Sequence, residues 1–80
     1  MATKNDLQDW VFNALKALDG KGTIVQVAKH IWENHSDDLK SSGDLFYTWQ
    51  YDIRWAATEL RKTNKILPAE KSPKGQWALR

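Results

Sequence analysis

Residues 51–79 read YDIRWAATELRKTNKILPAEKSPKGQWAL, and a change of period inside this stretch decides the architecture. Its first part continues a helical spacing. Phe46, Trp49, Ile53, Ala57 and Leu60 recur every three or four residues and predict a helix over 46–63 with one apolar stripe for a core. Asn64 suits a left-handed C-cap, because its short polar side chain tolerates that conformation. Beyond it the helical period stops. Residues 65–69 (KILPA) read as a short strand, 70–75 (EKSPKG) as a Pro/Gly turn with two lysines, and 76–80 (QWALR) as a second strand. Leu67, Trp77 and Leu79 are then available to the core. Pro68 has no N–H to donate to a ladder, so this hairpin is an edge or its first strand is irregular.

The same helix has a second aromatic series. Tyr47, Tyr51 and Trp55 fall at i, i+4 and i+8 on the far side, among Gln50, Arg54, Thr58, Arg61 and Lys62. A helix that only had to fold would carry solvated charges there. Aromatics among cations on an outward face read as a contact surface. Trp55 has a competing reading as a packing residue, covered by the turn or by the acidic segment before the helix.

Two helices precede it. Asn5 is a candidate N-cap, with Gln8 three residues on and Asp6 and Asp9 in the first turn, where carboxylates suit the helix dipole. Leu7, Trp10, Val11, Ala14, Leu15 and Leu18 form its buried face, and Gly20 supplies a left-handed stop. Thr23 caps the second helix with Gln26 closing a capping box, and its neighbourhood has room for a bridge-length strand. Ile24, Val27, Ala28, Ile31 and Trp32 are its apolar face, which fades over 34–36. Residues 36–44 are polar and acidic, with Leu39 anchoring a short extra turn capped by Ser36.

Eighty residues suffice for one small core, so residues 1–80 are read as a single domain. There is no cysteine, which excludes disulfides and thiolate metal sites. Residues 1–9 lack the apolar core of a signal peptide, and no apolar run approaches the roughly 20 residues of a membrane span. A cytoplasmic setting with no membrane partner is the expectation. The net charge of +2 conceals an asymmetry: residues 1–52 hold five lysines against eight carboxylates, and residues 53–80 hold seven Lys or Arg against Glu59 and Glu70. Such a division can give one face a positive potential on a nearly neutral chain.

Helix, bridge, helix, helix and terminal hairpin is the order of a winged helix, an α+β fold with a three-helix helix-turn-helix core and a C-terminal β-hairpin wing. The terminal stretch resembles the winged-helix domain at the N-terminus of Mrr-like restriction-system proteins. That pattern is an apolar position, a Trp-Ala pair, a Leu four residues on, a turn, an aliphatic strand start, then Gly, an aromatic and Leu. Ile53, Trp55-Ala56, Leu60, Asn64, Ile66-Leu67, Gly75, Trp77 and Leu79 stand in those places. Asn64 replaces the family's usual Gly, and Asp52 stands where a basic residue is favoured. The resemblance implies a DNA-binding module. It does not carry over cleavage, since no nuclease domain follows.

For duplex DNA, a helix-turn-helix places its second helix in the major groove, with residues near its start at the base edges. This nominates Tyr47, Thr48, Gln50, Tyr51 and Arg54. Arg54 matches guanine bidentately and Gln50 matches adenine. Arg61, Lys62 and Lys65 would meet phosphates, and Lys71, Ser72 and Lys74 would form the wing along the backbone. An ordinary solvated face and a polar turn account for the same residues. Against DNA stand Asp37, Asp38, Asp44 and Asp52 around the start of the helix, and a connection of about ten residues where a simple helix-turn-helix has roughly 3–4. The alternative is a protein-interaction module, or a weak homodimer, using Tyr47, Tyr51 and Trp55. His30 and His35 are five apart and do not share a helix face as an i, i+4 metal pair would. No nucleophile setting or phosphate loop is present, so a non-catalytic chain without metal or cofactor is expected.

Overall fold

The computed structural model describes residues 2–80. Its elements are α1 (Asp6–Ala17), β1 (Lys21–Thr23), α2 (Ile24–Lys40), α3 (Leu45–Lys62) and β2 (Gln76–Ala78), with a 3-10 turn at Ala69–Lys71. Three helices and a two-stranded antiparallel sheet make this α+β layout a winged helix.

The start of α1 differs from the expected cap. Asn5 has helical dihedrals and no side-chain cap bond. The residue before the turn does that work: the Asp6 carboxylate accepts from the Thr3 amide at 2.8 Å and from its hydroxyl at 3.4 Å. At the other end Gly20 donates to the Leu15 carbonyl at 2.7 Å and Asp19 to Lys16 at 3.3 Å, a Schellman closure. The first left-handed residue is therefore Asp19 (φ 63°), with Gly20 (φ 96°) following it.

The capping box on α2 is complete. Gln26 donates its amide to the Thr23 hydroxyl at 3.1 Å, and its side chain accepts from the Thr23 amide at 2.8 Å. The expected fade over 34–36 is a kink at His35 (φ −132°), after which a further helical turn buries Leu39 completely. Trp10 of α1 stacks on the His35 ring at that kink, centroids 3.9 Å apart and planes 5° from parallel. Because helix continues to Lys40, only residues 41–44 separate α2 from α3, not the ten read from the polar composition. Polarity marked a solvated last turn rather than a loop. Ser42 is buried in that connection, and its hydroxyl accepts from the Ala2 amide at 2.9 Å.

Helix α3 ends as the sequence predicts. Asn64 is left-handed (φ 61°), and Lys65 donates to the Leu60 carbonyl at 2.9 Å. The segment after it departs from a regular hairpin. Residues 65–69 contribute one bridge, Ile66 to Leu79, with two bonds: the Leu67 amide donates to the Ala78 carbonyl at 2.9 Å and the Arg80 amide to the Lys65 carbonyl at 3.4 Å. Pro68 then ends the pairing, and the Ser72 hydroxyl donates to the Leu67 and Pro68 carbonyls to hold the turn. The regular partner of β2 is instead β1, in the register Lys21–Ala78, Gly22–Trp77 and Thr23–Gln76. The chain end thus ties the α1–α2 junction to the end of α3.

The core is built from Leu7, Val11, Ala14 and Leu15 of α1, Val27, Ile31 and Leu39 of α2, and Trp49, Ile53, Ala56, Ala57 and Leu60 of α3, closed by Ile66 and Trp77. Ile66 takes the inward place that was expected of Leu67, because adjacent residues on an extended chain face opposite ways. Leu67 and Leu79 are half-buried, as are Trp10 and Leu18 of the α1 stripe. Phe46, expected in the core stripe, is also half-buried, and Trp32 remains 38% exposed.

Candidate nucleic-acid interface

Four sides of α3 have four environments, set by roughly 100° of rotation per residue. The inward side is the core stripe just described. On the α1 side stand Thr48, Asp52, Trp55 and Glu59. Trp55 is half-buried against the core, and the Lys4 ammonium lies 4.5 Å from its ring centroid. The contact over its ring comes from the residues before α1. The proposed aromatic surface of Tyr47, Tyr51 and Trp55 is therefore reduced to its two tyrosines.

The outward side carries Tyr47 and Tyr51, 83% and 74% exposed. Gln50 and Arg54 are exposed next to them on the α2 side. Arg54 has no ion-pair partner among the described residues. These four side chains are brought together at the first half of α3. Thr48, the fifth nominee there, is exposed, but its hydroxyl donates to the Asp52 carboxylate at 2.8 Å. That bond holds Asp52 on the α1 flank, away from Arg54.

The phosphate and wing nominees divide in the same way. Lys71 and Lys74 are exposed at the turn before β2. Ser72 is half-buried, with its hydroxyl committed to the turn's own carbonyls. Arg61 is half-buried and its Nε donates to the Leu67 carbonyl at 3.4 Å, so it joins α3 to the wing. Lys62 pairs with Glu59 at 3.0 Å, an exposed i, i+3 pair of little energetic weight. Lys65 is exposed, its ammonium 5.9 Å from the Phe12 ring.

Charge is segregated along α3. Asp37, Asp38 and Asp44 are exposed around residues 41–44, at the N-terminal end of the helix. Arg61, Lys71 and Lys74 lie at the opposite end with the wing. The lengthwise asymmetry of the sequence survives folding as two ends of opposite sign.

On the α2 side, α2 and α3 diverge and leave an open groove of about 690 Å³. Trp32, Phe46 and Trp49 form an aromatic cluster in it, with Trp32 stacked on Trp49 at 6.0 Å and tilted against Phe46 at 6.4 Å. Helical spacing alone put Trp32 and Phe46 in the core; their exposure follows from how far apart two helices sit, which spacing does not encode. Val25 and Lys29 on the rim were not singled out by the sequence, where they read as ordinary exposed positions of α2.

Behind the interface, burial pushes the His35 imidazole below its ordinary value, with His30 adding to the shift and Asp38 opposing it. No helix among the described residues is long and apolar enough to cross a membrane. No family model, curated protein or solved structure matches the chain, so the reading of this interface rests on its own residues.

Proposed function

We propose that this chain is a non-catalytic, double-stranded DNA-binding protein, with α3 as the reading helix and residues 65–80 as the wing. The observation that carries the reading is the outward surface of α3: Tyr47, Gln50, Tyr51 and Arg54 stand exposed together on one helix, and Lys71 and Lys74 of the wing are exposed as well. Residues near the start of the second helix of a helix-turn-helix are those that reach base edges. The short connection at residues 41–44 supports this, because it lets α2 and α3 meet as a helix-turn-helix does. Resemblance of the terminal stretch to the winged-helix domain of Mrr-like restriction-system proteins points the same way.

Each side chain has a role fitted to its chemistry. Arg54 pairs with the O6 and N7 edge of guanine, and Gln50 with adenine. Tyr47 and Tyr51 contact sugar and phosphate with their hydroxyls and apolar groups with their rings. Lys71 and Lys74 lie along the backbone as phosphate contacts. Carboxylates at Asp37, Asp38 and Asp44 repel phosphate at the other end, so the backbone tracks toward the wing.

The test is a titration against a mixed-sequence duplex at two salt concentrations. Binding weakens steeply as salt rises, because neutralised phosphates release counterions. Arg54→Ala lowers affinity by about 1–3 kcal/mol and relaxes preference at one base, whereas Lys74→Ala lowers it evenly and reduces the salt slope by about one. Absence of binding at low salt overturns the reading.

A further inference from the structure

The reading of a duplex leaves the floor of the groove between α2 and α3 unused. Its floor is apolar, from Ile24 and Ala28 through Trp32, Phe46 and Trp49 to Ile53. Its rims are Val25 and Lys29 on α2, and Gln50 and Arg54 on α3. On the other side of Ile24 lies a smaller hollow of about 280 Å³ beside the wing, bordered by Arg61, Lys74 and Trp77. The chain has ten carboxylates, yet none lines either part, while Lys29, Arg54, Arg61 and Lys74 do. Val25 is 76% exposed on the rim and Trp32 38% at the aromatic end.

We infer that this groove docks an acidic, amphipathic helical segment of another protein, apolar side chains down and carboxylates toward the cationic rims. Charge complementarity selects the occupant. A trough with an aromatic floor and cations on both edges favours anionic groups flanking apolar anchors, and it repels a basic helix by the same charges. The span fits: Phe46 to Arg61 covers roughly 22 Å at 1.5 Å per residue, the length of three to four helical turns. Such a segment would place apolar residues at i, i+3, i+4 and i+7, as helix-in-groove recognition requires. The clustered indoles of Trp32 and Trp49 supply the kind of anchor around which interface energy concentrates. A duplex has no apolar side chains with which to fill the trough, so the site is separate from the strip centred on Tyr51. The two share the rim residues Gln50 and Arg54 and, beside the wing, Lys74.

The experiment is selection of a random 16-residue peptide display library on the full chain, counter-selected on a Val25→Glu/Lys29→Glu double variant. Both substituted residues are exposed and neither belongs to the duplex-reading strip, so the variant keeps its helical circular dichroism. The expected winners are rich in Asp and Glu with apolar residues at helical spacing. They should shift amide signals of residues 24–32 and of Phe46, Trp49 and Ile53 in the wild-type chain and bind the double variant at least tenfold more weakly. Winners of neutral or basic composition, no enrichment, or shifts confined to Tyr47, Tyr51 and the wing overturn the proposal. So does self-association that protects the groove residues. A twelve-residue oligo-dT titrated alongside must leave those amides unmoved; if it shifts them and the peptides do not, the groove is a nucleic-acid platform and the proposal fails. If the double variant loses its helical signal, Lys29→Ala and Val25→Ser measured singly with a winning peptide carry the same comparison.

Discussion

The inward and outward sides of α3 are made from similar residues and meet opposite fates. Trp49 and Ile53 are buried on one side, while Tyr47 and Tyr51 stand in solvent nearly half a turn away. Hydrophobicity does not separate the two sets, since an indole and a phenol both favour burial of their rings. What separates them is whether another element lies against that side. The core of α1 and α2 covers Trp49 and Ile53, and Lys4 partly covers Trp55, but nothing among the described residues covers the tyrosines. An uncovered aromatic side on a helix whose other side is well packed is a candidate surface for contact.

Substitutions in each side should behave differently, and the largest effect is expected inside. Ile53→Ala should destabilise the fold by about 2–5 kcal/mol in urea unfolding, as deletion of a buried aliphatic group does. In an eighty-residue domain that removes much of the total stability. Tyr51→Ala should move stability by no more than about 0.5 kcal/mol, its effect appearing in duplex affinity instead. Equal losses of stability for the two would erase the contrast.

Trp55→Ala should fall between them, on the order of 1–3 kcal/mol, because its ring is only half-buried. If its unfolding midpoint matches that of Tyr51→Ala, Trp55 belongs with the outward set and the aromatic surface is wider than described.

Next in size is the junction between α3 and the wing. Asn64 is left-handed, a conformation that costs an alanine roughly 1–2 kcal/mol, so Asn64→Ala should lower stability by about that amount and Asn64→Gly should not. Thermal melts of the two variants make the comparison. A matched pair would mean that the Schellman closure of α3 adds nothing to how the wing is held.

The smallest effect concerns the kink that sets α2 against α3. The folded chain holds His35 below its ordinary value of 6.5, so the unfolded chain takes up a proton first as pH falls. The stability linked to His35 is present above about pH 6.5 and declines below it. His35→Gln should flatten that part of the stability–pH curve relative to wild type. An unchanged slope would remove His35 from the account of the kink.

Much of this architecture was legible because its causes are local. Thr23 and Gln26 close a capping box within one turn of helix, and the spacing from Trp49 to Leu60 repeats within one helix. Asn64 needs only its own backbone preference, and Leu39 signalled the turn that follows the kink. The misreadings share a different cause. Asn5 lost its cap to Thr3 and Asp6, and Pro68 reduced a strand to a bridge, both through competition among neighbours. Trp32 and Phe46 looked like core because period identifies a stripe without saying how closely the next helix approaches.

The candidate interface divides along the same line. Exposure of Tyr47, Tyr51 and Arg54 followed from their angle to the core stripe, so the sequence carried it. Commitment of Arg61, Ser72 and Thr48 to partners within the chain depended on where the wing and Asp52 came to rest. The groove was invisible for the same reason, as it exists only between two helices.

By itself, then, the sequence determined three helices, two of their stops, a core stripe for each and an uneven distribution of charge, because capping, period and charge are properties of neighbouring residues. The tertiary structure alone decided that β2 pairs with β1 across more than fifty residues, and that Lys4 comes to lie over the half-buried Trp55 ring. Those outcomes depend on which distant surfaces exclude water from one another, and no local preference encodes that choice.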